Sequence, residues 1–274
     1  IFSLLIATPN ANSQLLVENF NYTIGTFLSD NGWASHSGTG TNNIAVTTPT
    51  LTYPGYLSSG IGNEVSLTTN GQDVNLTFPA QTSGVVYASF LVSIDSATTT
   101  GDYFFHFGAT TIGSNFRGRL FVKKNASNQL AFGISQSTTT VNYSGFDYSL
   151  NTTYLIVVKY EIISGATNDL ASFIVNPPLN SPMPTTGWLT NTDASGTDLA
   201  QLGSIALRQG TAANAPMLKL DGIRVSTSWA DIVGPLSAPI LTVNPTTIQG
   251  FYYQLGSGPT NDESFVISGS NLSS

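Results

Sequence analysis

The chain has no cysteine among its 274 residues, so disulfide bonds cannot stabilise it. Charged residues make up only 8% of it, against roughly a quarter in a typical soluble domain. Eight Lys and Arg against fifteen Asp and Glu give a formal net charge of −7. This balance excludes the broad basic surface with which proteins bind nucleic acids, and it disfavours anionic membranes. Solubility must therefore come from Ser, Thr, Asn, Gln and Gly, and stability from an apolar core.

A long apolar run is also missing from the start of the chain. The apolar stretch at residues 1–7 is much shorter than the about 20 residues that a membrane-spanning helix needs. It is typical of the end of a signal-peptide core, and the small residues Ala11–Ser13 precede Gln14 as a signal peptidase requires. We interpret residues 1–13 as the remnant of a signal peptide, which predicts a secreted or outer-surface protein. The alternative is a buried N-terminal strand.

Apolar and polar residues alternate through most of the chain, as in half-buried strands. No segment has a sustained 3.6-residue period, so we expect no helix longer than two turns. The clearest hairpin joins residues 119–124 to 129–134 through the polar loop Asn125–Asn128. The longest apolar run, Thr153–Ile162, is predicted to be the central strand. The sequence predicts an all-β sandwich of more than ten strands, in two antiparallel sheets, over residues 14–233.

The order of the predicted strands is informative. A hairpin and a long strand are followed by a strand that ends at Asn176-Pro177-Pro178, and then by a final strand that contains an aspartate. This order resembles the concanavalin-A-like jelly rolls of the laminin-G type. The resemblance implies that Leu16–Phe20 pairs beside the last strand, Leu220–Val225. The segments Val17–Tyr22 and Asp30–Ser37 look like the start of such modules in secreted proteins of the Bacteroidota.

The composition changes after the last of these strands. Two prolines, which cannot donate to a β-ladder, predict a linker over residues 234–239. Alternation resumes in Leu241–Ile248 and Ser264–Leu272, and this pattern resembles the first strands of an immunoglobulin-like repeat. The resemblance implies a truncated immunoglobulin-like domain over 240–274, of a kind that often precedes a sorting domain for type IX secretion. The alternative, a disordered linker, fits the alternation and the aromatic content less well.

Acidic residues and histidines are placed unfavourably for catalysis. Glycoside hydrolysis needs two facing carboxylates about 5–10 Å apart. Glu161 is the only glutamate in a strong strand, and it has no acidic neighbour two or four positions away on that strand. His106 lies in an apolar strand, where we expect a core or face histidine. His36 is predicted to lie in the loop after Trp33, where we expect a hydrogen-bonding anchor. These positions argue against a catalytic triad or a zinc site. We predict that the chain is not an enzyme.

Glu18 and Asp221 are the candidate ligands of a structural calcium ion. If the terminal strands pair as proposed, these carboxylates and the loop carbonyls of residues 40–43 would supply the oxygen ligands that calcium prefers. The jelly-roll resemblance favours such a site, because many β-sandwich carbohydrate modules hold calcium between those strands. The alternative is that Asp221 pairs with Arg208 or Arg224, or caps a turn.

Aromatic residues suggest a sugar-binding site, because a pyranose ring stacks its apolar face on an exposed aromatic platform. The aromatic candidates are Trp33, Tyr53, Tyr56, Tyr143, Tyr148 and Trp188. Trp33, Tyr53, Tyr56 and Trp188 are the predicted ligand-binding residues, and the alternative for each is that its ring covers an edge of the sandwich. We predict a monomeric, non-catalytic recognition or adhesion module that binds a polysaccharide or glycoconjugate, with a neutral polysaccharide expected. The alternative function is a structural spacer in a large exported protein.

Overall fold

A computed structural model describes residues 13–137, 140–193, 196–234, 240–247, 253–259 and 264–270. These residues form two compact units, one within residues 13–234 and the other within 240–270. The predicted signal-peptide remnant, apart from Ser13, lies outside the described residues, as does the predicted linker apart from Gly234.

The first unit is built almost entirely of strands. In chain order they are β1 (Gln14–Glu18), β2 (Ala34–Ser37), β3 (Ala45–Thr47), β4 (Glu64–Leu67), β5 (Asp73–Gln81), β6 (Gly84–Ser96), β7 (Asp102–Gly108), β8 (Arg117–Lys124), β9 (Gln129–Ser135), β10 (Asn142–Tyr143), β11 (Tyr148–Ser149), β12 (Thr153–Ile162), β13 (Leu170–Val175), β14 (Leu189–Asn191), β15 (Leu202–Leu207) and β16 (Met217–Ser226). A helix of five residues, α1 (Trp229–Val233), follows β16, and a single 3₁₀ turn spans Leu28–Asp30. The prediction of more than ten strands and no helix longer than two turns is confirmed for the described residues. None of these helices is long and apolar enough to cross a membrane.

Two antiparallel sheets pack face to face in this unit. The back sheet has the strand order β14-β13-β12-β6-β16-β4-β3, with β1 also paired to β16. The front sheet has the order β10-β9-β8-β7-β15-β5-β2, with β11 also paired to β9. Strands far apart in sequence, such as β6 and β16, are neighbours, and the chain crosses repeatedly between the sheets. The predicted fold class, an all-β jelly-roll sandwich of two antiparallel sheets, is confirmed.

Local strand predictions can be compared with the observed pairing. β8 and β9 form the predicted hairpin, with Lys124 opposite Leu130. β1 pairs antiparallel with β16, as the resemblance implied, with Glu18 opposite Ile223. The prediction that Thr153–Ile162 is the central strand is wrong. β6, the longest strand at 13 residues, occupies the centre of the back sheet, with β14, β13 and β12 on one side and β16, β4 and β3 on the other. β12 lies next to it.

Apolar side chains form two clusters. The main core lies between the sheets and contains Phe90 and Phe105, whose ring centroids are 4.8 Å apart. A second cluster, here called the outer-face cluster, covers the outer side of the back sheet and includes Leu91, Trp229 and Ile232. Phe90 and Leu91 belong to different clusters because successive residues of a strand point to opposite faces. The back sheet is therefore buried on both sides.

The second unit consists of two small antiparallel pairs. β17 (Ile240–Asn244) pairs with β20 (Val266–Ser270), and β18 (Tyr253–Gln254) pairs with β19 (Gly258–Pro259). Parts of the predicted immunoglobulin-like domain over 240–274 lie outside the described residues. That assignment stays a prediction.

Candidate ligand-binding face

The outer face of the front sheet carries three aromatic rings in a row. Tyr143 lies opposite Gly133, Gly133 opposite Phe121, and Phe121 opposite Tyr103, so the row crosses four neighbouring strands. Residues directly opposite each other project from the same face of a sheet. The ring centroids are 6.4 Å apart for Phe121 and Tyr143, and 5.2 Å apart for Tyr103 and Phe121. We call these three half-buried rings the aromatic ladder.

Gly133 leaves the space that the ladder needs. A Cβ atom placed on Gly133 would lie 2.6 Å from Cδ1 of Tyr143 and 2.8 Å from Cγ1 of Val141. Because real Cβ atoms essentially never come that close to other heavy atoms, a larger residue would push the tyrosine ring away. The missing side chain therefore allows Tyr143 to lie across β9 toward Phe121.

Three cations flank the aromatic ladder. The ammonium group of Lys123 lies 3.9 Å from the centre of the Tyr143 ring. The Tyr103 ring has two guanidinium groups beside it, that of Arg208 at 4.0 Å and that of Arg119 at 5.3 Å. All three distances lie within the range in which a cation is attracted to the face of a ring. The face therefore combines apolar rings with charged hydrogen-bond donors.

Carboxylates hold one of these cations in place. A nitrogen of Arg208 lies 2.9 Å from an oxygen of Asp102, and another lies 4.0 Å from Asp73. Asp73 also accepts a hydrogen bond of 2.9 Å from the backbone N–H of Gln209. Burial raises the pKa of Asp73 and that of the Tyr103 hydroxyl above their usual values. Tyr103 therefore stays neutral near pH 7 and can both donate and accept a hydrogen bond.

A pair of histidines lies next to the ladder on the same face. His106 lies opposite Ala206, which lies opposite Asn75, and Nδ1 of His36 is 3.2 Å from Oδ1 of Asn75. The Phe116 ring covers His106 at a centroid distance of 4.1 Å. Burial lowers the pKa of His106 to about 3, so it is neutral, and burial also lowers the pKa of His36. His36 does form the expected hydrogen bond, but from a strand and not from a loop.

Two of the predicted platform residues, Trp33 and Tyr56, are buried. Trp33 is 2% exposed, stacks on Phe20 at 6.1 Å and donates a hydrogen bond of 3.3 Å from Nε1 to Glu18. Tyr56 is 4% exposed, and its hydroxyl donates a hydrogen bond of 2.7 Å to the carbonyl of Gly222. Neither ring is available for stacking, so their prediction as platforms is wrong. Both fill space that the sandwich needs for packing.

The other two predicted platform residues, Tyr53 and Trp188, are half-buried against the outer-face cluster of the back sheet. Trp188 donates a hydrogen bond of 2.9 Å from Nε1 to the carbonyl of Pro184, and the ammonium group of Lys159 lies 5.0 Å from its ring. The four predicted residues therefore do not form one site. None of them belongs to the aromatic ladder.

The predicted calcium ligands, Glu18 and Asp221, point to opposite faces of the back sheet. Glu18 lies opposite Ile223, a residue of the main core, and Asp221 lies opposite Leu91, a residue of the outer-face cluster. One ion cannot bridge the two carboxylates through a sheet, so the predicted site is wrong. In the part of the chain that the structure describes, no group of three or more His, Asp or Glu side chains is placed to hold a metal ion.

Both carboxylates already accept hydrogen bonds from other groups of the protein. Glu18 accepts hydrogen bonds of 2.6 Å from the backbone N–H of Phe20 and from the hydroxyl of Tyr22. Asp221 accepts a hydrogen bond of 2.6 Å from the hydroxyl of Thr50 and one of 2.9 Å from the backbone N–H of Leu51. Burial raises the pKa of Asp221 to about 7. Asp221 thus ties a loop to the back sheet, whereas Glu18 closes a turn.

The sequence contains a signal for the ladder that its interpretation missed. In β8, Leu120 and Val122 alternate with Arg119, Phe121 and Lys123. The two aliphatic residues belong to the main core, so the other three project outward. Tyr143 was among the aromatic candidates, but the pattern of β8 was used only to predict a hairpin.

No protein-family model matches the chain, and no curated protein matches it. Solved structures do match. The ligand binding domain of Botulinum neurotoxin serotype D in complex with N-acetylneuraminic acid has 11% identity and a TM-score of 0.43, and the match covers 79% of this chain and 48% of that one. The CBM2 module of the evolved Dit of Lactobacillus casei BL23 phage J-1 has 13% identity, a TM-score of 0.44, and coverage of 78% and 94%. A heptameric SAP-like pentraxin from Limulus polyphemus has 11% identity, a TM-score of 0.41, and coverage of 75% and 91%. The chain spans about half the length of the first of these structures. Similarity at this level does not identify a ligand for this chain.

Proposed function

We propose that the chain is a non-catalytic recognition or adhesion module that binds glycans on the outer face of its front sheet. The aromatic ladder of Tyr143, Phe121 and Tyr103 is the observation that carries this proposal. A pyranose ring has one apolar face and a rim of hydroxyl groups, so it stacks on a half-exposed aromatic ring beside hydrogen-bonding groups. The ladder supplies the rings, and the cations and carboxylates around Tyr103 supply the polar partners.

The length of the ladder favours a chain of sugars over a single one. It crosses from β10 to β7, which is about 14 Å at the usual spacing of about 4.8 Å between strands. An open sheet face of this kind typically binds weakly, with dissociation constants in the millimolar to micromolar range, about −4 to −8 kcal/mol. Avidity from several modules on one surface would raise the overall affinity.

The same proposal includes location and oligomeric state. A glycan-binding module of this kind would act outside the cell, as the interpretation of residues 1–13 predicts. It would work as a monomeric unit within a multidomain chain. Mass spectrometry of the mature N-terminus in a secreting host tests the first point.

A glycan array on the whole chain, with isothermal titration of each hit, tests the function. We expect Tyr143→Ala to lose most of the binding, because it removes a ring at the end of the ladder. Trp188→Ala is the matched control, since Trp188 is also a half-buried aromatic residue beside a lysine, but on the back sheet. The melting temperature of each variant must be measured, so that unfolding is not read as lost binding.

The outcomes separate the proposed function from its alternatives. Loss of binding in Trp188→Ala but not in Tyr143→Ala would move the site to the back sheet, where Trp188, one of the residues predicted from the sequence, lies. Absence of binding to any glycan would favour the structural spacer, in which the sandwich only holds neighbouring domains apart.

A further inference from the structure

The cations of this acidic chain are concentrated on one part of the front sheet. Strands β8, β9 and β10 contain four of the eight Lys and Arg residues and none of the fifteen Asp and Glu residues. The four cations are all in the eight residues of β8, and the guanidinium group of Arg208, which directly follows β15, also lies beside the Tyr103 ring. Two of these four, Arg119 and Lys123, lie beside the rings, whereas Arg117 is buried and donates a hydrogen bond to the carbonyl of Thr197.

The alternation of β8 places the charge beside the rings. Arg119 and Lys123 flank Phe121 on the outer face, whereas Leu120 and Val122 point into the core. Lys123 makes no ion pair with any described residue, and its ammonium group contacts the rings of Tyr143 and Phe146 at 3.9 and 5.6 Å. Arg208, in contrast, is already paired with Asp102 at 2.9 Å.

We infer that the ligand of this face is an acidic glycan, whose carboxylate or sulfate groups bind Lys123 and Arg119 while its sugar rings stack on the aromatic ladder. This inference rests on the proposed function and replaces the expected neutral polysaccharide.

Desolvation is the physical reason. A bound glycan excludes water from the ladder, and an ammonium group that loses water without gaining an anion is costly to bury. A carboxylate or sulfate restores the lost interactions through short, charge-assisted hydrogen bonds, and the planar guanidinium of Arg119 can bind either anion with two parallel bonds. A neutral glycan offers only hydroxyl groups. The charges of Lys123 and Arg119 also attract an anion before contact.

A glycan array that holds neutral glycans beside their uronate-bearing and sulfated counterparts tests this inference with the whole chain. We expect binding to the charged members and about tenfold weaker binding to the neutral ones, since one charge-assisted hydrogen bond is worth about that factor. Affinity should also fall when NaCl is raised from about 0.05 to about 0.5 M, because salt screens the charges. Binding to uronates only, or to sulfated glycans only, identifies which anion is recognised.

Matched variants locate the effect. Lys123→Met keeps the apolar stem over Tyr143 and removes the charge, so it should weaken binding to acidic glycans about tenfold and leave binding to neutral ones unchanged. Lys159→Met is the control, because Lys159 also lies over an aromatic ring, 5.0 Å from that of Trp188, but on the back sheet. Equal losses in both variants would show non-specific charge attraction and overturn the inference.

The failure of this inference differs from the failure of the proposed function. If neutral glycans bind as tightly as acidic ones, and Tyr143→Ala abolishes binding while Lys123→Met does not change it, the ladder binds glycans but the inferred class is wrong. If no member of the array binds, both proposals fail.

Discussion

Glu18 and Asp221 lie on two paired strands, yet their carboxylates point to opposite faces of the back sheet. The strands pair with Glu18 opposite Ile223, two residues beyond Asp221. Plain alternation would put residues 221 and 223 on one face. Between them, Gly222 has a φ of +60°, and the register with β6 shifts between Asp221 and Arg224. This bulge inserts an extra residue and turns Asp221 outward.

Asp221 should make stability depend on pH. Its carboxyl is fully buried, and burial raises its pKa to about 7, well above the value of about 3.9 expected in the unfolded chain. Between pH 4 and 7 the folded state therefore holds a proton that the unfolded state has lost. We expect its contribution to stability to be complete below about pH 4 and to be lost as the pH rises to about 7. Denaturant unfolding of Asp221→Asn and of the unchanged chain, from about pH 4 to about pH 7, measures this contribution to the free energy of unfolding.

The comparison with the variant isolates this carboxyl. Burial raises the pKa of Glu64, Asp73 and Asp169 as well, and it lowers the pKa of both histidines, which act in the opposite sense. The contributions of Asp73, Asp169 and the histidines cancel in the difference between the two profiles. Glu64 interacts electrostatically with Asp221, so any change in the titration of Glu64 is part of the effect that the variant measures. Asp147→Asn, at an exposed position, is the control for the substitution itself. A flat difference for Asp221→Asn would show that its carboxyl is ionised when folded.

Glu18 should stabilise the fold without calcium. It accepts three hydrogen bonds, from the backbone of Phe20, the hydroxyl of Tyr22 and the indole of Trp33. Glu18→Ala would leave these donors unsatisfied, and we expect a loss of about 3 kcal/mol in the free energy of unfolding. The loss should be the same in EDTA and in excess calcium, measured by urea unfolding. A loss that appears only with calcium would restore a calcium site.

Tyr56 should matter for stability and not for binding. Its hydroxyl donates to the carbonyl of Gly222 and lies 2.8 Å from Oγ of Ser89, so it ties the loop at residues 49–60 to the back sheet. Tyr56→Phe keeps the ring and should cost about 1–2 kcal/mol, the price of a buried carbonyl without its donor. Glycan affinity should not change. A change in affinity at unchanged stability would return Tyr56 to the binding site.

Much of the fold could be predicted from local pattern. β12 has the bounds of the predicted apolar run, β13 ends directly before Asn176-Pro177-Pro178 as predicted, and the β8–β9 hairpin follows from its polar loop. The central position of β6 could not be predicted, because strand order depends on pairings between residues far apart in sequence. Gly222 was a signal for the bulge, because a glycine inside a strand often marks one, but the face to which the bulge turns Asp221 depends on the pairing with β6.

The candidate site was harder to predict than the fold. An aromatic residue fits a core as well as a surface, and only the packing of the second sheet decides which face of a strand is buried. The interior can accommodate Trp33 and Tyr56 because the donor on each ring reaches a buried acceptor. Phe121 and Tyr103 remained half-exposed because the opposite face of their strands supplies the core. The alternation in β8 predicts that one of its two faces is buried, and the structure shows that this is the face of Leu120 and Val122.

Gly133 should control binding through the position of Tyr143. Its backbone does not require glycine, since its φ is not positive, so the obstacle to Gly133→Ala is the contact of the new Cβ with Tyr143 and Val141. We expect the ring to move off β9, with binding lost about as far as in Tyr143→Ala and stability lowered by about 1 kcal/mol. Gly113→Ala, which meets nothing within 4 Å, is the control and should bind normally. In the double variant Gly133→Ala/Tyr143→Ala the two losses of binding should not add, because both remove the same ring from the ladder. Additive losses in that cycle would show that Gly133 acts on the glycan by another route.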